Sequence, residues 1–113
     1  MLARANRVVR PDDFRIVVRR GRRSTSALAV YYRLERAHAD PVRFGFIVSK
    51  AVGGAVERNL VRRRLRAVGR QLVDAGAHGA DVVVRALPGS AQHGWASLSA
   101  DMHDALDPEL MPQ

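Results

Sequence analysis

The chain has 113 residues, enough for one domain whose core folds without covalent staples and too few for two of ordinary size. With 19 Lys and Arg against 11 Asp and Glu it carries a net charge of +8, yet 47% of it is hydrophobic, too much for a disordered basic tail. It has no cysteine, which excludes a disulfide scaffold, a thiolate zinc site and a thiol nucleophile and suits the reducing cytosol, and its apolar stretches fall far short of the roughly 20 residues of a membrane span.

The first ten residues are Arg-rich and free of acid, as in a transit peptide, but Asp12 and Asp13 follow at once and no secretory apolar core is seen. Pro11-Asp12-Asp13, then Phe14, Ile16, Val17 and Val18, closed by Arg19-Arg20-Gly21, predicts a short helix. Its acids lie at the N-terminal end and its cations at the C-terminal end, complementing the helix dipole, with Gly21 as the stop. From Ser24 to Glu35 the pattern alternates, with Leu28, Val30, Tyr32 and Leu34 on one face and Tyr31, Arg33 and Glu35 on the other. This predicts a strand, preceded by a very short one near Arg22 to Thr25. After a polar connection from Arg36 to Pro41, Phe44, Phe46 and Val48 alternate with Gly45, Ile47 and Ser49 in a second long strand, expected to pair antiparallel with the first.

Gly53 and Gly54 break the chain, and Val56 opens the longest helical pattern, ending near Leu72 to Ala75 with Gly76 as its stop. Val61, Leu65, Val68 and Leu72 make its buried stripe. Asp81 to Val84 reads as a short buried strand ended by Leu87-Pro88-Gly89, and Trp95, Leu98, Met102 and Leu106 as the apolar face of a final helix. Pro108 and Pro112 mark an irregular tail. The result is one α+β domain over 1–113 in the order α-β-β-β-α-β-α, with a mixed sheet covered by helices, a structured core over about 6–106 and the tail over 107–113.

The charge has an address. Residues 1–70 hold 18 of the 19 cations and five of the 11 acids, whereas residues 71–113 hold only Arg85 against six acids. All cations but Lys50 are arginines, which favour bidentate contact with phosphate and stacking on bases. Nucleic acid is therefore the leading partner class. Arg58, Arg62, Arg66 and Arg70 step by four along one flank of the long helix, with Asn59 and Arg63 beside them. Like charges at that spacing repel by a few tenths of a kcal/mol per pair, so the row makes sense when an anion neutralises it. The glycine turn before the helix would admit phosphate to backbone N–H groups, and the arginine flank would extend that site along a nucleic-acid backbone.

Other chemistry fits less well. A nucleotide-triphosphate loop needs Gly-Lys-Ser or Gly-Lys-Thr at the helix start, but Lys50 precedes the glycines. A helix-turn-helix DNA reader, with Arg58 to Arg70 as recognition helix, is opposed by the strands that lead into it. His38, His78, His93 and His103 are scattered, so a metal site is not expected. Asp101, Asp104 and Glu109 could hold magnesium but read as solubilising charge. No acid–base pair or nucleophile triad assembles from the Ser, His and Asp present. Among the aromatics interleaved with basic residues, Phe44 and Phe46 read as core, and Phe14 and Tyr32, beside Arg-rich chain, as candidates for stacking on unpaired bases.

The segment from Lys50 to Arg66, KAVGGAVERNLVRRRLR, strongly resembles the signature of the bacterial ribonuclease P protein family, with Arg58-Asn59 and the spaced Arg62, Arg63 and Arg66 as its arginine–asparagine motif. Agreement extends to Asn6-Arg7, Asp13-Phe14, the Tyr32 strand, the Arg43 to Ser49 strand and the Asp81 to Pro88 strand, about residues 6–106. The resemblance implies a fold like the second domain of a ribosomal protein, with a left-handed β-α-β crossover against the usual right-handed rule. It implies an RNA-binding subunit that helps a catalytic RNA remove the 5′ leader from precursor tRNA, the RNA and its Mg²⁺ doing the hydrolysis without protein catalytic residues, organic cofactor or protein partner, in the cytoplasm and away from membranes. Lys50, Arg58, Asn59, Arg62, Arg63 and Arg66 would dock on the catalytic RNA, and Phe14, Tyr32 and Arg85 would match the cleft that binds the single-stranded leader. Two features depart from the family: Val18 stands where a second aromatic is common, and the C-terminal end is acidic. A structural ribosomal or RNA-chaperone protein is the alternative, a DNA-binding regulator the more distant one.

Overall fold

The computed structural model describes residues 2–110. Helix α1 (Pro11–Arg20) is followed by strands β1 (Arg22–Thr25), β2 (Ala29–Glu35) and β3 (Arg43–Ile47), helix α2 (Ala55–Asp74), strand β4 (Ala80–Ala86) and helix α3 (Trp95–Leu110). The order is the α-β-β-β-α-β-α of a single α+β domain, as the patterning predicts. The four strands form one sheet in the order β1-β2-β4-β3, with β1–β2 and β2–β4 antiparallel and β3–β4 parallel.

The expected antiparallel pairing of β2 with β3 is therefore wrong: β4 lies between them. Val82, Val83 and Val84 are all fully buried, and a run apolar on both faces belongs at the centre of a sheet rather than at its margin. The hairpin is instead β1–β2, and β3 reaches β4 through α2.

Alternation along the strands divides the interior in two. On one face Tyr31, Phe44, Val82 and Val84 pack against Val61, Leu65, Val68 and Leu72 of α2 and Leu98, Met102 and Leu106 of α3. On the other face Val17 of α1 packs on Tyr32 and Val83, with Phe14, Val18, Val30, Leu34 and Ile47 around them. Leu28 belongs to the first cluster and not, as alternation predicts, with Val30, because it precedes the first residue of β2 and the strand parity does not extend to it. The N-terminal segment contributes two core residues, Leu2 and Val8, and runs along β3, where the Val8 N–H donates to the Phe44 carbonyl.

Gly76 ends α2 with positive φ (103°), the Ala77 N–H reaching the Leu72 carbonyl and the Gly76 N–H that of Val73. Gly45 answers a different need: a Cβ there would lie 2.5 Å from the Phe14 ring, so the missing side chain is the seat on which α1 rests. α3 continues through Pro108 to Leu110, past the predicted boundary at 106, since a proline removes one donor from a turn without necessarily stopping it. The rest of the predicted tail, 111–113, lies outside the described residues. Trp95, placed on the apolar face by spacing, opens α3 and is exposed. Asp101, read as solubilising charge, is instead tied into the fold: it accepts hydrogen bonds from Ser26 Oγ (2.7 Å) and from the Tyr31 hydroxyl, clamping α3 to the start of β2.

Candidate nucleic-acid interface

Because the Val61–Leu72 stripe fixes α2 against the sheet, its rotation is set and the arginine flank must face outward. Asn59, Arg62, Arg63 and Arg66, spaced at three, four and seven residues from the first, line one open groove with Val56. Arg62 is held there by two weak bonds, one to Asn59 Oδ1 (3.2 Å) and one to the Val48 carbonyl (3.4 Å). Arg58 is half-buried beside this groove, its Nε shielded from water without a hydrogen-bond partner among the described residues. Lys50 is exposed in the 3-10 turn between β3 and α2. Arg70, the last of the four-step row, is ion-paired with Asp74 at 3.0 Å, so the row is cationic at its first three positions and neutralised at the fourth.

The glycine turn is less open to phosphate than its composition suggests. Glu57 lies against Gly53 and Gly54, a Cβ on Gly54 falling 3.1 Å from its carboxylate, so the first turn of α2 carries its own anion. Anion binding on this helix thus rests on the side chains of its flank.

Two further clefts adjoin this groove. The first wraps the outer edge of β3, beside the N-terminal segment, and is lined by Phe14, Gly45 and Phe46, by Arg7 of that segment, and by Arg66. The second, about 350 Å³, lies between α1 and the sheet, lined by Phe14, Arg15, Val18, Arg19, Ile47 and Arg85. Arg66 is common to the first pair of cavities and Phe14 to the second, so the three form one track from the outer flank of α2 around β3 onto the α1 face of the sheet.

Of the residues predicted for the leader, Phe14 and Arg85 meet in the second cleft, whereas Tyr32 is buried beneath it, 8% exposed, packed with Val17 and Val83. Val18 lines the cleft beside Phe14, leaving one aromatic on that wall. Sequence reasoning missed Val56, Arg7, Arg15, Arg19, Phe46 and Ile47 as lining residues. Gly45 was the available signal: a glycine inside a strand pattern marks a close approach, here by Phe14.

One cluster of charges away from this track is internally matched. Asp81, nearly buried, accepts from Arg43 Nε (2.8 Å) and Nη2 (2.6 Å) and from Arg36 (3.4 Å). The hydrogen bond to Asp81 raises the Arg43 pKa above its ordinary value. The fold brings the rings of His38 and His78 within 4.2 Å, a proximity that sequence spacing does not disclose. Among the described residues no group of three His, Asp or Glu could hold a metal ion, and no helix is long and apolar enough to cross a membrane.

A basic α+β domain whose cationic helix groove runs into an aromatic cleft on a sheet face is, by class, an RNA-binding protein. The family model for ribonuclease P matches residues 2–108. Over 106 residues the chain is 50% identical to the ribonuclease P protein component of Clavibacter michiganensis subsp. michiganensis, covering 94% of each. The Staphylococcus aureus RNase P protein superposes with a TM-score of 0.84 at 22% identity, over 96% of this chain and 100% of that one. The Thermotoga maritima protein does so with 0.79 at 20% identity, over 90% and 96%. The chain belongs to the ribonuclease P protein family, whose members are subunits of an RNA-containing endoribonuclease.

Proposed function

We propose that the chain joins the catalytic RNA of ribonuclease P through Lys50, Arg58, Asn59, Arg62, Arg63 and Arg66 and holds the 5′ leader of precursor tRNA against Phe14 and Arg85, with Tyr32 supporting the cleft from below. The observation that carries this reading is the continuity of the track: Arg66 and Phe14 each serve two adjoining cavities, so an RNA docked on α2 and a strand in the cleft lie side by side. Guanidinium groups supply phosphate contacts that are indifferent to sequence, and stacking on an aromatic is worth about 1–3 kcal/mol per base whichever base it is. One protein can thereby serve many leaders.

The hydrolysis belongs to the RNA, which would hold the Mg²⁺. The protein's part is binding and positioning, in the cytoplasm. The test is cleavage of a 5′-extended precursor tRNA at low Mg²⁺ by the protein alone, by a bacterial ribonuclease P RNA alone and by the two together. Cleavage at the mature 5′ end in the mixture, well above that of the RNA alone, is expected. A mixture no better than the RNA alone, with RNA binding intact, would replace this reading by that of a structural or chaperone protein.

A further inference from the structure

The α1–sheet cleft does not end in a wall. On the sheet face that carries α1, Ile47 is registered with Arg85, Arg85 with Val30, and Val30 with Thr25, so these four side chains form a row across all four strands. Arg23 is registered with Tyr32 and stands on the same face, one pleat along β1. From β3 to β1 this row spans three strand spacings of about 4.8 Å, roughly 14 Å. Arg19, at the C-terminal end of α1, borders it from above, since α1 crosses the sheet with Phe14 over Gly45 and Val17 over Tyr32.

The charges along this row are among those the fold leaves without a carboxylate partner. Arg15 is paired with Asp12, Arg33 with Glu35, Arg70 with Asp74, and Arg36 and Arg43 with Asp81. Arg19, Arg23 and Arg85 are exposed and have no carboxylate partner among the described residues. Cations on the edge strand β1 also discourage edge-to-edge pairing, but that purpose requires nothing of Arg19 or Arg85, which are not on that edge.

We propose that the leader track continues from Arg85 across Val30 and Thr25 to the β1 edge, where Arg23 holds a phosphate of a leader nucleotide farther from the cleavage site than those in the cleft of Phe14, Arg19 and Arg85. This rests on the leader-binding role proposed above and adds to it a second, purely electrostatic segment that only long leaders reach. Its chemistry is that of a single-stranded RNA backbone: fixed cations, a half-buried apolar floor at Val30, and Thr25 as a hydroxyl donor.

The test uses the reconstituted protein–RNA holoenzyme and precursor tRNAs whose leaders are lengthened one nucleotide at a time. With the parent protein, affinity should rise in two stages as the leader first fills the Phe14 cleft and then reaches β1. In Arg23→Ser the second stage should vanish while the first is kept. With long leaders the log–log salt slope should fall by about 0.7, one single-strand contact, so that the parent's advantage shrinks about 2.6-fold between 50 and 200 mM salt. With the shortest leaders the two proteins should bind alike. Arg23 is exposed, so an unchanged melting temperature serves as the folding control. Phe14→Ala separates the two claims: its loss at every leader length combined with a silent Arg23→Ser overturns only the extension, and its silence overturns the leader role itself. If Arg23→Ser weakens binding of the catalytic RNA in the absence of substrate, the β1 edge serves that RNA and the proposal fails.

Discussion

Replacing Arg62, Arg63 and Arg66 together by alanine tests the α2 groove most directly. These three line one groove with Asn59, and none has a carboxylate partner among the described residues. If each neutralises one phosphate, removing all three lowers the log–log slope of affinity against salt by about 2.1 to 2.7, at 0.7 to 0.9 per contact. Between 50 and 200 mM salt the parent's affinity for the catalytic RNA should then fall about 20- to 40-fold more than the variant's. Direct binding titrations across that range, with thermal melts as a control, measure this without needing cleavage. Arg70→Ala is the internal comparison: its guanidinium is engaged by Asp74 at 3.0 Å, and its slope should change by well under one contact. Parallel slopes for parent and triple variant would refute the groove as a phosphate site, however much the absolute affinity moved.

Gly45→Ala places a Cβ 2.5 Å from Phe14 Cε1 and 3.1 Å from Val8 Cβ; an overpacking cost of about 1–3 kcal/mol and a loss of leader affinity without loss of catalytic-RNA affinity are expected, and an unchanged melt with normal leader binding would contradict the seat. Asp81→Ala leaves Arg43 and Arg36 without their shared anion and should destabilise by about 2–4 kcal/mol in denaturant titrations, whereas a near-neutral outcome would mean that water replaces the pair. Burial first, then the hydrogen bond to Asp101 and its charge, raise the Tyr31 pKa well above the ordinary tyrosine value. Since the folded state favours the protonated hydroxyl, this stabilisation is complete below about pH 10, the unfolded pKa, and is lost as pH rises beyond it. Tyr31→Phe should cost about 1–3 kcal/mol near neutrality and lose less than the parent on going alkaline; equal alkaline losses would place the effect elsewhere.

The helices were legible because each carries its stop and its stripe in sequence: Gly76 after α2, and Val61 to Leu72 at spacings of four, three and four. Strand pairing was not, because the apolar run at Val82 to Val84 states that a strand is buried without naming its neighbours. The arginine–asparagine flank could be read from spacing alone. Its division into an ion-paired Arg70 and Arg62, Arg63 and Arg66 with no carboxylate partner among the described residues depended on Asp74, one turn farther along the same helix. Tyr32 and Phe14 read alike as aromatics beside basic chain. Only the crossing of α1 over the sheet decides that one is floor and the other wall.

The central position of β4 has a consequence for synthesis. The strand that joins the β1–β2 hairpin to β3 is the last of the four to leave the ribosome, and without residues 80–86 the two parts share no ladder. Such a nascent chain already holds 18 of the 19 cations but lacks the strand on which β2 and β3 are assembled. Ordered presentation of the arginine groove therefore waits on the completion of nearly the whole chain, and a truncated product would be a sticky polycation rather than a weaker version of the native protein.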